Sequence, residues 1–336
     1  MGRTSGVSSS HGEPLNAMDR FLIDALVQNG RVPFTTLAAQ VGVSGTTVCR
    51  RLAALEQRGV IRGYTVVVDS GALGEPTTAL FSIKPRAQAP ARRSIADRLR
   101  RLPQITASFI MSGDRPNIAV GRFTSPEAAE SLAARLRDDL CARVNIDFVL
   151  KTRFGDAVWS PDSTTAPALR DTDRTLIDLL MVDGRASLDS LAKKTHLSKS
   201  TVHKRLQVLQ ERGVIRGYTT LVDSGALGLP VTAVFAIKSN AAPAVEPSKF
   251  GKLHGFPEIG ACYTLSGRRS SVAVGTYRDI AAARTAADRL GEQLHTVVNV
   301  DFVLATDFDR HQWPRHRGGG QQCPYDEAPG DLQPVR

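Results

Sequence analysis

Cysteine is scarce and unpatterned in this chain. Four residues in 336, Cys49, Cys141, Cys262 and Cys323, form no C-x-x-C pair, so the sequence offers neither a disulfide framework nor a Cys-based zinc site, and a reducing cytoplasm is the expected compartment. Long hydrophobic runs are missing as well: none approaches the roughly 18 residues that cross a bilayer. Residues 1–16 are rich in Ser and Gly and have no apolar centre, which excludes a secretory signal. Enzyme signatures are also lacking. There is no Gly-x-Gly-x-x-Gly, no P-loop, no His-Glu-x-x-His and no Gly-x-Ser-x-Gly. His311, His316 and Cys323 make the one conceivable metal trio, and they fall in or beside a Gly- and Gln-rich tail, so neither metal nor cofactor is expected.

What the chain has instead is positive charge and repetition. The net charge is +10, with an isoelectric point near 9.8, a balance that favours polyanionic partners, nucleic acid first. Arg58–Tyr64 (RGVIRGY) recurs unchanged at Arg212–Tyr218, 154 positions on. Val68–Gly74 recurs at Val222–Gly228 and Val144–Leu150 at Val298–Leu304 with the same offset, the last pair differing at one position. A constant offset means two copies of one unit with no net insertion between these landmarks.

Each copy reads as two domains. In the first, a helix from Asp19 to Gln28 ends at Asn29-Gly30, a short helix covers 35–40, and Ser44 is placed to cap a third helix reaching Arg58. An extended stretch, Val60–Val68, has the character of a wing or exit strand. From Thr77 the pattern becomes strand, Arg-rich helix, two strands around a turn at 112–116, helix, strand. That order is the split βαβ, ferredoxin-like arrangement. The expected division is a flexible leader (1–14), a helix-turn-helix domain (15–64), a ferredoxin-like domain (65–153), a linker (154–168), a second helix-turn-helix domain (169–218), a second ferredoxin-like domain (219–308) and a disordered tail (309–336). The fold class is α+β.

The third helix carries the chemistry. A helix that reads the major groove needs an apolar seam to dock on its domain and a polar, cationic face for DNA. Val48, Leu52 and Leu55 form the seam in copy one, and Val202, Leu206 and Leu209 in copy two. The outward set is Ser44, Thr46, Thr47, Arg50 and Arg51 in one copy, and Ser198, Lys199, Ser200, Thr201, Lys204 and Arg205 in the other. The plainer alternative is a three-helix core with a solvated basic face. Duplication of both seam and charge favours DNA. The two helices differ in their outward residues, since Gly45, Cys49 and Arg50 correspond to Lys199, His203 and Lys204; unequal half-sites are therefore expected. His196 stands where copy one has Gly42, a turn position that His tolerates better than most residues.

The run Asp19-x-x-Leu22-Ile23, Leu37-Ala38, Val43-Ser44, Arg51-Leu52-x-x-Leu55-Glu56-x-x-Gly59-Val60-Ile61-x-Gly63-Tyr64 resembles the leucine-responsive regulatory protein/AsnC (feast/famine) family. The likeness covers about 16–150 and again 169–305. It implies a transcription regulator that binds double-stranded DNA in the cytoplasm or nucleoid, with winged helix-turn-helix units and AsnC-type ligand-binding and oligomerisation domains. Family members commonly carry one copy and dimerise, so here one chain would do the work of a dimer. Exposed edge strands on each ferredoxin-like sheet suggest further association into homo-oligomers.

The family's effector turn usually reads Gly-x-Tyr/Phe-Asp. Here the turns are Gly113-Asp114-Arg115-Pro116 and Gly267-Arg268-Arg269-Ser270. Arginine replaces the aromatic residue in both, which points to an acidic or carboxylate-bearing effector, an amino acid among them, or to none. The competing class is a siroheme decarboxylase-like tetrapyrrole enzyme on the same fold. Copy one has no histidine between Tyr64 and Lys151, and copy two has only His254 and His295 in its ferredoxin-like half, a poor supply for such a site.

Overall fold

A computed structural model describes residues 15–86, 92–154, 169–237, 253, 256, 258–266 and 271–309. Three helices open each copy: α1 (Ala17–Gln28), α2 (Phe34–Val41) and α3 (Gly45–Gln57) in the first, and α6 (Asp171–Val182), α7 (Leu188–Thr195) and α8 (Lys199–Glu211) in the second. Their ends follow local chemistry. Asn16 and Asp19 close a capping box on α1, and Ser44 and Ser198 cap α3 and α8 by accepting the N–H groups of Thr47 and Thr201. The corner before the third helix is left-handed in both copies, at Gly42 (φ 72°) and at His196 (φ 56°).

The exit strands β1 (Ile61–Val68) and β6 (Ile215–Val222) begin against their own helices, Ile61 and Tyr64 packing with Leu22 and Leu55, and Ile215 and Tyr218 with Leu176 and Leu209. They pair with each other, antiparallel, Tyr64 opposite Thr220 and Val66 opposite Tyr218. The wing is thus a two-stranded ribbon with one strand from each copy. Each helical core borrows from the other copy: Val66, Val68 and Ala72 pack with Leu176, Leu180 and Leu206, while Val222 and Leu227 pack against the core of copy one. Val66 and Val68 are almost fully buried there, and each such burial contributes about 1.5–3 kcal/mol. Ion pairs repeat the exchange at the ribbon ends, Arg62 with Asp223 and Arg216 with Asp69.

The first ferredoxin-like half follows the expected order, and the described elements of the second agree with it. Copy one has β2 (Thr77–Pro85), α4 (Arg92–Arg100), β3 (Ile105–Met111), β4 (Asn117–Phe123), α5 (Pro126–Asp139) and β5 (Ala142–Phe154). In copy two, β7 (Val231–Ile237), β8 (Ile259–Leu265), β9 (Ser271–Tyr277), α9 (Ile280–Leu294) and β10 (Val298–Asp309) are described. Phe81, Ile83, Ile105 and Phe123 of one sheet bury against α4 and α5, and Phe235 and Tyr277 occupy the matching core of the other.

One expectation is overturned here. The sheet edges are not open to a second chain. β5 pairs with β8 and β10 with β3, and the eight strands close in the order β10-β3-β4-β2-β5-β8-β9-β7. Closure removes the edges that suggested chain-to-chain pairing. It also explains why β5 and β10 run to Phe154 and Asp309, beyond the expected ends at Leu150 and Leu304: their last residues pair across the copies. The expected leader, most of the linker and the tail lie outside the described residues.

Candidate nucleic-acid interface

The apolar seams hold as read from the sequence: Val48, Leu52 and Leu55, like Val202, Leu206 and Leu209, are at most 2% exposed. This fixes which face of α3 and α8 looks outward. Thr46 and Arg50 are exposed on α3, as are Lys199, Ser200, Thr201 and Lys204 on α8. The cap hydroxyls belong to small local networks. Ser44 Oγ lies 2.9 Å from Thr47 Oγ1, and Ser198 Oγ lies 2.9 Å from Ser200 Oγ and 2.8 Å from Thr201 Oγ1. The Lys199 ammonium pairs with Asp189 on α7, a partner that copy one cannot supply because Thr35 holds the matching position.

Arg51 and Arg205 depart from the outward set. Each turns back along its helix to the third residue of the preceding first helix. Arg205 Nη1 donates to Asp173 Oδ1 at 2.8 Å, and Arg51 Nε lies 3.4 Å from Asp19 Oδ1. The aspartates are the reason. Asp19 and Asp173 serve the capping geometry, accepting the Asn16 and Arg170 N–H groups at 3.2 Å, and both are buried. A buried carboxylate is costly without a partner, and the arginine of the third helix supplies one. The outward cations on the two reading helices are therefore Arg50 on α3 and Lys199 and Lys204 on α8.

A feature missed by the sequence reading sits at the corner after each first helix. Asn29-Gly30-Arg31 and Asp183-Gly184-Arg185 are another pair at the 154-residue offset, legible in principle as more than helix stops. Their arginines cross between copies. Arg31 donates to Gly184 O (2.6 Å) and Ala186 O (3.1 Å), and Arg185 donates to Gly30 O (2.6 Å) and Val32 O (3.3 Å). Arg31 also lies over the Tyr218 ring at 4.2 Å, and Arg185 lies over Phe34 at 4.2 Å and Tyr64 at 5.3 Å. Burial raises the Tyr218 phenol pKa, against the opposing pull of Arg31.

The first effector turn, by contrast, is engaged in closing the barrel. The Ser112 N–H donates to Phe302 O at 2.8 Å and Ser112 Oγ accepts the Phe302 N–H at 2.7 Å. Gly113 has φ 81°, a left-handed conformation that favours glycine, and a Cβ there would stand 2.5 Å from Asp301 Oδ1 of the other copy, which would have to swing aside. Asp114 is exposed. Arg115 has partners within its own sheet: it donates to Ser82 Oγ at 3.2 Å and lies 3.6 Å from Asp147. Gly267, Arg268 and Arg269 lie outside the described residues, as do His311, His316 and Cys323.

Comparison with known proteins agrees with this geometry. An AsnC-type helix-turn-helix domain matches residues 15–56, and a winged helix-turn-helix DNA-binding family matches 169–216. The HTH-type transcriptional regulator LrpA of Mycobacterium tuberculosis is 35% identical over 149 residues, 44% of this chain and 99% of that protein. The HTH-type transcriptional regulator FL11 of Pyrococcus furiosus is 37% identical over 99 residues, covering 30% of this chain and 64% of that regulator. Among solved structures, the siroheme decarboxylase NirDL aligns over 88% of this chain and 93% of its own, with TM-score 0.62 and 15% identity, a likeness of fold alone. A match along nearly the whole length of a regulator, helix-turn-helix matches at 15–56 and at 169–216, and the constant 154-residue offset make this chain an internally duplicated member of the Lrp/AsnC family of helix-turn-helix transcriptional regulators.

Proposed function

We propose that the protein is a sequence-specific DNA-binding transcription regulator, in which one chain acts as a pseudo-dimer and reads two unequal half-sites. The observation that carries this reading is the pairing of two helix-turn-helix units, through exchanged strands β1 and β6, with Arg50 exposed on one reading helix and Lys204 on the other. Thr46, Thr47 and Arg50 would meet one half-site, and Lys199, Ser200, Thr201 and Lys204 the other, while Ser44 and Ser198 hold the helix ends toward the phosphates. Arg51 and Arg205 act one step back, keeping each third helix fixed on its domain. Half-sites about one helical turn apart, roughly 34 Å, suit two helices presented on one face. Phosphate contacts make the binding steeply salt-dependent.

A carboxylate-bearing effector at Gly113, Asp114 and Arg115 would have to displace Asp147 from Arg115, which makes the turn responsive only to a ligand whose carboxylate outcompetes a neighbour already in place. Gly267, Arg268 and Arg269 would form the corresponding turn of copy two. Association of these chains into larger assemblies would use surfaces other than the sheet edges. The working place of such a regulator is the cytoplasm. Among the described residues, no helix is long and apolar enough to cross a membrane.

The test is fluorescence-anisotropy binding to genomic fragments at two salt concentrations, with Arg50→Ala and Lys204→Ala. Selective binding weakened by each substitution supports the reading. An intact chain that shows no selective binding, but carries a Soret band as purified, would instead favour the enzyme on this fold.

A further inference from the structure

The corner residues Arg31 and Arg185 carry more than local structure. Each follows the first helix of its copy and leads directly into the second, at the entry to α2–α3 or α7–α8. Each reaches out of its own copy and donates to two main-chain carbonyls of the other, Gly184 and Ala186 or Gly30 and Val32, which themselves flank the opposite arginine. The forks are thus reciprocal about a pseudo-twofold axis. The arginines are held in register from both sides. Their own N–H groups donate to Asn29 Oδ1 (3.0 Å) and Asp183 Oδ1 (2.9 Å), and their guanidinium groups lie over the aromatic rings of Tyr218, Phe34 and Tyr64.

The preceding glycines leave no slack. Gly30 N–H donates to Tyr218 O at 2.7 Å and Gly184 N–H to Tyr64 O at 2.8 Å. A Cβ at Gly30 would stand 2.7 Å from Thr219 O, and one at Gly184 2.6 Å from the Thr65 main-chain nitrogen. Backbone therefore touches backbone where the two helix-turn-helix bodies meet. A planar fork fixes direction as well as distance, which a lysine ammonium on a flexible stem does not.

We infer that Arg31 and Arg185 form a reciprocal lock that fixes the separation and rotation of α3 relative to α8, and so sets the spacing between half-sites that the protein accepts. The inference rests on the regulator reading for its consequence at DNA, but the lock itself can be tested without DNA. Positioning residues of this kind leave each reading helix intact and act on the linkage between them. Loosening the lock lowers the effective concentration of the second helix once the first has bound.

The test uses the full chain and its Arg31→Lys/Arg185→Lys variant, which conserves charge. Arg31→Lys alone serves should the double variant fail to fold. Distances between spin labels at the exposed positions Gln57 and Glu211, with the native cysteines replaced by serine, give the geometry. Anisotropy on a selected operator, on spacer variants of it and on each half-site alone gives the consequence. A narrow distance distribution that broadens in the variant is expected. Affinity for the best-spaced operator should fall about tenfold, with less than about twofold change on single half-sites and a flatter spacer preference. An unchanged distance distribution together with an unchanged spacer preference overturns the lock. Absence of selective binding by the unsubstituted chain overturns the regulator reading, and the spin-label distances then decide the lock on their own.

Discussion

Adjacent cations on one helix, Lys204 and Arg205, are expected to fail in different ways when removed. Asp173 is buried and its carboxylate receives the Arg205 guanidinium at 2.8 Å; the Asp173 side chain is 10% exposed and that of Arg205 21%. Removing one partner of a fully buried ion pair costs about 3–5 kcal/mol. Here water reaches part of the guanidinium, which brings the expected cost of Arg205→Ala down toward about 2 kcal/mol, the scale of a hydrogen bond to a charged group. At about 1.4 kcal/mol per factor of ten, amide exchange through opening of α6–α8 should accelerate roughly thirtyfold. Lys204→Ala, on an exposed side chain, should stay within about 0.5 kcal/mol. DNA affinity should show the reverse order at temperatures where both variants are folded: Lys204→Ala weakens binding and flattens its salt dependence, while Arg205→Ala changes little. Exchange rates unaltered in Arg205→Ala, combined with a loss of DNA binding as deep as in Lys204→Ala, would refute the assignment and return Arg205 to the DNA face.

Other perturbations follow from the same geometry. Tyr277 has a buried hydroxyl with no hydrogen-bond partner among the described residues, and burial, reinforced by Glu258 and opposed by Arg289, pushes its phenol far above the ordinary value. Copy one has Phe123 at that place, so Tyr277→Phe should be neutral or raise stability by up to about 1 kcal/mol, read as a higher melting temperature; a fall of that size would show that the hydroxyl has a partner. The same substitution should reduce the loss of stability above pH 10, because a phenol whose folded pKa is raised gives stability that is complete below its unfolded value near 10 and declines above it. Burial alone would raise the Asp223 carboxyl, but hydrogen bonds from the Ala226 N–H and Arg62, with Gly225, outweigh it and hold the pKa below the usual carboxylate range. Its contribution should be complete above the unfolded pKa of about 3.9 and lost as pH falls through the folded value, so Asp223→Asn should lessen the acid sensitivity of urea unfolding; an identical pH profile would contradict this. Gly184→Ala should cost about 1–3 kcal/mol by forcing the strand ribbon away from the corner, and wild-type stability in urea unfolding would show that the close approach is not needed.

Much of this architecture was legible locally. The seams of α3 and α8 are set by side chains four and three residues apart, and the strands at Ile105–Met111 and Asn117–Phe123 and the helix at Pro126–Asp139 end where their turn and capping residues say they should. What escaped was pairing between copies. Nothing in the alternation of Val66, Val67 and Val68 tells that β1 meets β6 rather than its own domain, and the extra residues of β5 and β10 acquire strand character only from partners more than a hundred residues away. Arg51 reads as outward because its helix face is polar; only the burial of Asp19, a capping residue on another helix, turns it. The Asn29-Gly30-Arg31 corner carried a repeat signal, yet the need for glycine arises from an opposing backbone that local sequence does not reveal.

The central claim is that one chain holds two reading helices that meet DNA together. Footprinting on a selected operator, with the number of bound chains counted by native mass spectrometry and repeated for Arg50→Ala and Lys204→Ala, tests it most directly. One chain should span two half-sites, with each substitution eroding protection over a different half. Saturation only with two chains per pair of half-sites, or erosion of the same half by both substitutions, would contradict it.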